Sequence, residues 1–246
     1  FICLSPICYV TENTKNGETV LDVCDRAKHK NKDENLYYTV LDDEGLVIFK
    51  PFMDKWLCDP ERREYMYIDF VPDVEKCPKN TYNLFTGMAY EKLIADGVKP
   101  APQKEFQVLL DHLKLLSGDD KQEAVYKYQL KWFAHMLKNP GKMPNVAIVW
   151  NSPQGAGKNI FANGFGKFIV GNKSTLNTEM ADEFIGKWRN LSNKFFGIYN
   201  EASSQDTFGA DGRIKALISE PTLSWEAKGK DTIMVSNFLR LLVLTN

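Results

Sequence analysis

The stretch Val146–Phe161, Val-Ala-Ile-Val-Trp-Asn-Ser-Pro-Gln-Gly-Ala-Gly-Lys-Asn-Ile-Phe, constrains the chain most. An apolar run stops abruptly in a loop of small residues. A lysine follows, and the segment beyond it can be helical. This is the strand–loop–helix context of a phosphate-binding loop, or P-loop. Small residues let the backbone curl so that successive N–H groups point inward. The new helix adds partial positive charge at its N-terminus, and Lys158 adds a full one. Pro153, Gln154, Gly155, Ala156, Gly157, Lys158 and Asn159 are therefore the candidate nucleotide-binding residues. The strict pattern is not met. Ser152 stands in place of the first glycine, and Asn159 stands where a Ser or Thr hydroxyl holds Mg²⁺. An Asn carbonyl is also a hard oxygen ligand, so the metal role can survive. Taken alone, the stretch also reads as a glycine-rich turn without a ligand.

The residues downstream favour the first reading. Lys194–Ala202 is an apolar run ending in Asn200-Glu201. Strands of parallel sheets are buried on both faces and read as continuous apolar runs. Ligands bind at the carboxyl ends of such strands, so Glu201 is expected beside the loop, placed to polarise a water attacking the γ-phosphate. Next, Ile214–Glu220 reads as a helix, Thr222–Glu226 as a strand, Ala227–Asp231 as a turn and Thr232–Val235 as a strand. The tip Lys228-Gly229-Lys230 suits a hairpin that enters nucleic acid, although by itself it reads as a solvated turn. Leu239–Asn246 is another buried strand ending in an amide. Asn246 there can orient the lytic water and sense the γ-phosphate.

Upstream of the loop, helical spacing marks Phe106–Leu116 and Ala124–Leu137. Asn139-Pro140-Gly141 ends the second helix. Val98–Pro102 is a proline-punctuated linker and the predicted domain boundary. His112 and His135 read as surface or packed residues, because no carboxylate or Cys cluster stands near them at metal spacing. Tyr37–Leu41 and Gly45–Phe49 read as strands joined by the turn Asp42–Gly45. Glu12–Gly17 and Lys28–Glu34 read as exposed polar segments, and Lys28–Lys32 as a solvated loop rather than a basic patch. From Pro51 to Lys92, Trp56, Tyr65, Tyr67, Phe70, Tyr82, Phe85 and Tyr90 are interleaved with Lys55, Arg62, Arg63 and Lys79. Such a pattern can stack single-stranded bases, but a small accessory core is the favoured reading. Beyond the loop, Ser174–Leu176 reads as a strand and Met180–Trp188 as a helix.

With 246 residues the chain has room for one large domain or two small ones. Its net charge of -1 excludes a global basic pull toward nucleic acid, so any such contact must be local. Cys3, Cys8, Cys24, Cys58 and Cys77 form no CxxC pair, which points to a reduced, intracellular setting rather than zinc or a disulfide framework. No apolar run is long enough to span a membrane. The opening lacks a methionine and a basic start, so it reads as the interior of a longer chain rather than a signal peptide. The other end, stopped at the last residue of a strand, reads as cut too.

Together, Gln154–Asn159, Asn200-Glu201-Ala202, Lys215, Lys228-Gly229-Lys230 and Leu244-Thr245-Asn246 resemble the superfamily 3 helicases. The resemblance is closest to the phage- and virus-type primase-helicases, which include the poxvirus-type enzymes. It covers Val146–Asn246, and Tyr82–Gly87 with the helix pair looks like the region ahead of the ATPase in that family. It implies an α/β P-loop NTPase core of the additional-strand, AAA+-like type with a central, mostly parallel sheet, preceded by a helical and irregular α+β collar region. The implied division is an accessory region over 1–100, a helical collar over 101–142 and an ATPase core over 143–246, truncated at its C-terminal end. The implied activity is ATP-dependent DNA unwinding at a replication fork, with ATP and Mg²⁺ as cofactors. The implied partners are single-stranded or forked DNA and further copies of the chain in a hexameric ring, with no membrane. The implied setting is intracellular: the host cytoplasm, nucleus or nucleoid of a viral or phage replication system.

Carried over residue by residue, Lys158 binds the β- and γ-phosphates, Asn159 holds the metal together with Asn200 and Glu201, and Glu201 activates water. Asn246 is the sensor, and Lys215, Lys228, Gly229 and Lys230 contact DNA. Ser152, Asn159 and Asn200 depart from the family's usual Gly, Ser/Thr and Asp. The family's arginine finger lies beyond the sensor strand, so these residues alone are expected to be inactive. A P-loop ATPase or kinase that does not act on DNA, and a catalytically degenerate DNA-binding or assembly module, are the alternatives.

Overall fold

Short strands near the N-terminus build the first sheet of the computed structural model, which describes residues 1–15, 18–118, 122–186, 191–200, 211–225 and 232–246. Strands β1 (Ile2–Leu4), β2 (Ile7–Lys15) and β3 (Glu18–Cys24) run antiparallel. They bury Ile2, Cys3, Val10, Val23 and Cys24. Helix α1 (Arg26–Lys32), the hairpin β4 (Tyr37–Leu41) and β5 (Val47–Pro51), and helix α2 (Phe52–Cys58) follow. Strand β6 (Glu64–Tyr65) then pairs parallel with β1, giving the order β3-β2-β1-β6. These elements belong to one compact unit, Phe1–Ile68 with Pro78–Tyr82.

Two polar segments are largely exposed, as expected, but they form regular structure. Glu12, Asn13 and Thr14 are strand, paired with Leu21, Val20 and Thr19. An antiparallel ladder is made of backbone bonds, which side-chain polarity does not prevent. Lys28–Lys32 is helical, because the Asp25 carboxylate accepts from the Lys28 N–H at 2.9 Å and caps the first turn. His29 of this charge run is buried between Tyr9 and Trp56. Lys30 and Lys32 pair with Asp54 and Asp22, so the run is not a free basic patch. The aromatic segment divides. Tyr65 and Tyr82 pack with Phe1 under the Arg63 guanidinium, which Glu12 holds. Phe70 and Phe85 are buried in the second unit.

The second unit comprises Asp69–Cys77 and Asn83–Asn246. The chain passes between the units through β7 (Tyr67–Asp69) and β8 (Thr81–Asn83). Helices α3 (Ala89–Ala95), α4 (Gln103–Leu116) and α5 (Glu123–Lys138) precede the main sheet. The longer two lie where the helical spacing of Leu109, Leu113 and Leu116 and of Trp132, Phe133 and Met136 predicts. The Val98–Pro102 segment lies inside this unit.

The main sheet consists of β9 (Ile148–Asn151), β10 (Thr175–Thr178), β11 (Phe196–Tyr199) and β14 (Arg240–Thr245), all parallel, in the order β10-β11-β14-β9. Helix α6 (Lys158–Gly164) and a π-helical turn (Phe165–Val170) follow β9. Helix α7 (Ala181–Ile185) precedes β11, and α8 (Asp211–Ser219) follows it. The hairpin strands β12 (Thr222–Trp225) and β13 (Ile233–Ser236) come before β14. All four residues of β11 are buried, as the continuous apolar run requires. Gly197 within it lets α7 approach, since a Cβ there would stand 2.7 Å from the Phe184 ring. Helix α7 ends at Ile185 with Gly186 as its C-cap, and the last two residues of the predicted Met180–Trp188 lie outside the described residues. No helix among the described residues is long and apolar enough to cross a membrane.

Two buried polar networks join the helix pair to this sheet. The Trp150 indole N–H donates to Gln129 Oε1 at 3.0 Å, and the Ser117 hydroxyl reaches the same oxygen at 2.9 Å. Arg240, only 1% exposed, opens β14. Its Nη2 donates to the carbonyls of Asn139 (3.1 Å), Pro140 (3.0 Å) and Lys142 (2.7 Å), just past the α5 C-terminus. Its Nη1 donates to the Phe238 carbonyl, and the guanidinium lies 4.2 Å from the Phe195 ring centroid. Burial pushes its pKa down to about 9, so the cation persists at neutral pH.

Candidate functional site

The site forms at the carboxyl ends of β9 and β14. Thr245 lies opposite Asn151, and the Ser152 N–H reaches the Thr245 carbonyl at 3.4 Å. From there the chain turns through Gly155 (φ 86°) and Gly157 (φ 84°), both in the left-handed region that glycine tolerates without strain. The loop borders a cavity of about 270 Å³ lined by Gln154 through Ile160 with Leu244 and Asn246. Among the described residues, no acceptor takes the backbone N–H groups of Gly155, Gly157, Lys158 or Asn159. They remain available to a ligand.

Lys158 opens α6 and is 7% exposed. Its ammonium donates to the Ser152 carbonyl, to the Thr245 carbonyl at 2.7 Å and to Asn246 Oδ1 at 2.8 Å. All three partners are neutral oxygens, so its charge is satisfied in hydrogen bonds but not neutralised. The close approach of β14 to β9 encloses the side chain.

Asn200 follows β11 and is 8% exposed. Its Nδ2 donates to Asn177 Oδ1, and Asn177 Nδ2 donates to Asn163 Oδ1, so three amides link β11, β10 and α6. Asn200 Oδ1 is buried without a described partner. An orphaned buried carbonyl suits a hydrated cation, because a hard oxygen is what Mg²⁺ takes. Asn159 is exposed at the cavity wall. Among the described residues, no group of three or more His, Cys, Asp or Glu side chains could hold a metal.

Of the expected residues, the fold brings together Gln154–Asn159, Lys158 and Asn246. Pro153 stands at the start of the loop without lining the cavity. Lys215 is exposed on α8 and does not line the cavity either. Glu201 and the tip Lys228-Gly229-Lys230 lie outside the described residues, although β12 and β13 pair as the hairpin reading requires.

The fold adds one residue that the sequence reading set aside. His112 Nε2 on α4 lies 3.0 Å from the Ala156 carbonyl oxygen. A Cβ on Gly157 would stand 2.6 Å from the same nitrogen. The only sequence signal was helical spacing from Leu109 and Leu116.

A mixed α/β unit with a parallel sheet and a glycine loop at its carboxyl edge is the class that fold and site define. A family model described as a family of unknown function (DUF5906) matches residues 150–246. No curated protein matches the chain. Among solved structures the chain is similar to apo structures of the NrS-1 C-terminal region. One, given as residues 305-718, shares 14% identity at a TM-score of 0.57, over 99% of this chain and 55% of that one. An A-form apo structure of the same region shares 15% identity at 0.55, over 85% and 52%. The chain thus spans about half the length of the structures it matches. At such identities the likeness concerns the fold.

Proposed function

We propose that this protein is an ATP-dependent DNA helicase of a viral or phage replication system, working inside the cell. In this reading 143–246 belongs to a P-loop NTPase core of the additional-strand type, 101–142 is its helical collar and 1–100 an accessory region. One observation carries the reading: a buried lysine at the carboxyl edge of a parallel sheet, beside a glycine loop that lines a cavity and has N–H groups without a described acceptor. The position of β14 between the loop strand and the strand leading to Glu201 supports the additional-strand type. The sequence resemblance supports action on DNA.

In the proposed chemistry, Lys158 exchanges carbonyl partners for the β- and γ-phosphates, and the N–H groups of Gly155, Gly157, Lys158 and Asn159 bind the same oxygens. Pro153, Gln154 and Ala156 complete the cradle. Asn159, Asn200 and Glu201 would hold Mg²⁺, which neutralises phosphate charge when bound. Glu201 takes the proton of the attacking water, and Asn246 orients that water. Lys215, Lys228, Gly229 and Lys230 contact single-stranded or forked DNA in a hexameric ring of identical chains.

The test is ATP binding and hydrolysis by the purified protein with and without single-stranded DNA. The expected result for residues 1–246 is Mg²⁺-dependent ATP binding; DNA-stimulated turnover is expected only of a ring in which a neighbouring arginine completes the site. Glu201→Gln should keep binding and lose turnover by about 10²–10⁴, the usual contribution of a general base. Hydrolysis indifferent to DNA would instead make this an ATPase or kinase of another kind. Absence of nucleotide binding would leave a degenerate DNA-binding or assembly module.

A further inference from the structure

The contact between His112 and the glycine loop has no part in the chemistry above. The Ala156 carbonyl can only accept, so His112 Nε2 carries the proton and donates across 3.0 Å. The carbonyl of Ala156 and the N–H of Gly157 belong to one peptide group. That group is planar and trans, so the two point in opposite directions. Holding the carbonyl toward α4 therefore turns the Gly157 N–H away from α4, and no described acceptor takes it.

The imidazole is itself held. Its ring meets Phe161 of α6 edge-on, at 6.3 Å between centroids and 78° between planes. The next residue, Leu113, is buried, and its carbonyl accepts from the Ser117 N–H at 3.0 Å. Ser117 reaches Gln129, and Gln129 accepts from Trp150 of the loop strand. The donor thus sits on a helix fastened to the strand that launches the loop. Gly157 is doubly specified, by its positive φ and by the imidazole where a Cβ would stand.

We propose that His112 is a positioning residue for the nucleotide: by fixing the Ala156–Gly157 peptide it presets one phosphate-binding N–H and couples the helix pair to phosphate binding. This rests on the nucleotide-binding reading of the loop. Its substrate class is any ligand carrying a di- or triphosphate, because the peptide group contacts phosphate and not base.

The experiment measures displacement of a fluorescent ATP analogue by ATP and by inorganic triphosphate, on wild type, His112→Phe, His112→Gln and Lys158→Ala. His112→Phe keeps a ring against Phe161 but has no donor. It should weaken ATP and triphosphate by the same factor, about tenfold for one hydrogen bond, with an unchanged melting temperature in the absence of nucleotide. His112→Gln, which restores an amide donor, should recover most of that loss. Wild-type affinity in His112→Phe overturns the proposal. So does an equal loss in folded His112→Phe and His112→Gln, because packing rather than donation would then matter. If His112→Phe fails to fold, His112→Ala takes its place in the same comparison. Should wild type bind neither ATP nor triphosphate, and Lys158→Ala change nothing, the parent reading itself fails.

Discussion

The two ends of β14 each carry a buried cation, and they solve the same problem differently. At the start, Arg240 is 1% exposed and surrounded by carbonyl oxygens and an aromatic face. At the finish, Lys158 is 7% exposed and also held by neutral oxygens. Neither pairs with a described carboxylate. Burying a charge without a counter-ion is costly unless hydrogen bonds and dipoles replace its water. The turn after α5 supplies Arg240 with carbonyls at a helix C-terminus, where the dipole is negative. That arrangement is buried, with only Nε lacking a described partner. Lys158 instead adjoins an open cavity beside unsatisfied N–H groups. The difference teaches that a buried cation builds structure where its partners enclose it, and stays ready for an anion where they do not.

Arg240→Leu tests that contrast most severely. It removes the donors to four carbonyls and should destabilise the fold on the order of 4 kcal/mol, because each orphaned buried group costs about 1–3 kcal/mol. Urea denaturation measures it. A loss below about 1 kcal/mol would mean that Arg240 does not fasten the helix pair to the sheet.

Lys158→Ala should show the opposite profile. Nucleotide affinity falls by about 100-fold or more, as expected when a charge-assisted contact is lost. Stability falls less than in Arg240→Leu, though not by zero, since Lys158 ties Ser152, Thr245 and Asn246 together. Calorimetric titration and thermal melting give the two numbers. Full affinity with a collapsed melting temperature would reverse the assignment of the two cations.

Arg240→Lys refines the first case. The charge remains but the planar fork is lost, so some carbonyls go unsatisfied, at about 1–2 kcal/mol in the same denaturation assay. A silent substitution would show that charge, not donor geometry, matters there.

The smallest effect concerns cations outside both groups. Lys228→Ala with Lys230→Ala should lower the salt slope of single-stranded DNA binding by about 0.7 per lost phosphate contact. ATP binding should not change. An identical slope in the double variant would move the DNA contact elsewhere.

What the sequence determined by itself was local. The apolar run, glycines and lysine of Val146–Phe161 form β9, the loop and α6 where expected. The spacing of Trp132, Phe133 and Met136 places α5, and the run before Asn200 places β11. Each of these signals lies within one turn or one strand. Polar composition concealed the end of β2 and the cap of α1, because backbone pairing and one Asp25 carboxylate decided them. Tertiary structure alone decided the order β10-β11-β14-β9, the enclosure of Lys158 and Arg240, and the reach of His112 to the loop. His112 and Ala156 are 44 residues apart, Lys158 and Asn246 are 88 apart, and Arg240 and Asn139 are 101 apart. Periodicity and spacing report which face of an element is apolar. They carry nothing about which distant carbonyl that face will meet, because closing loops of such length is decided by the packing of the whole unit.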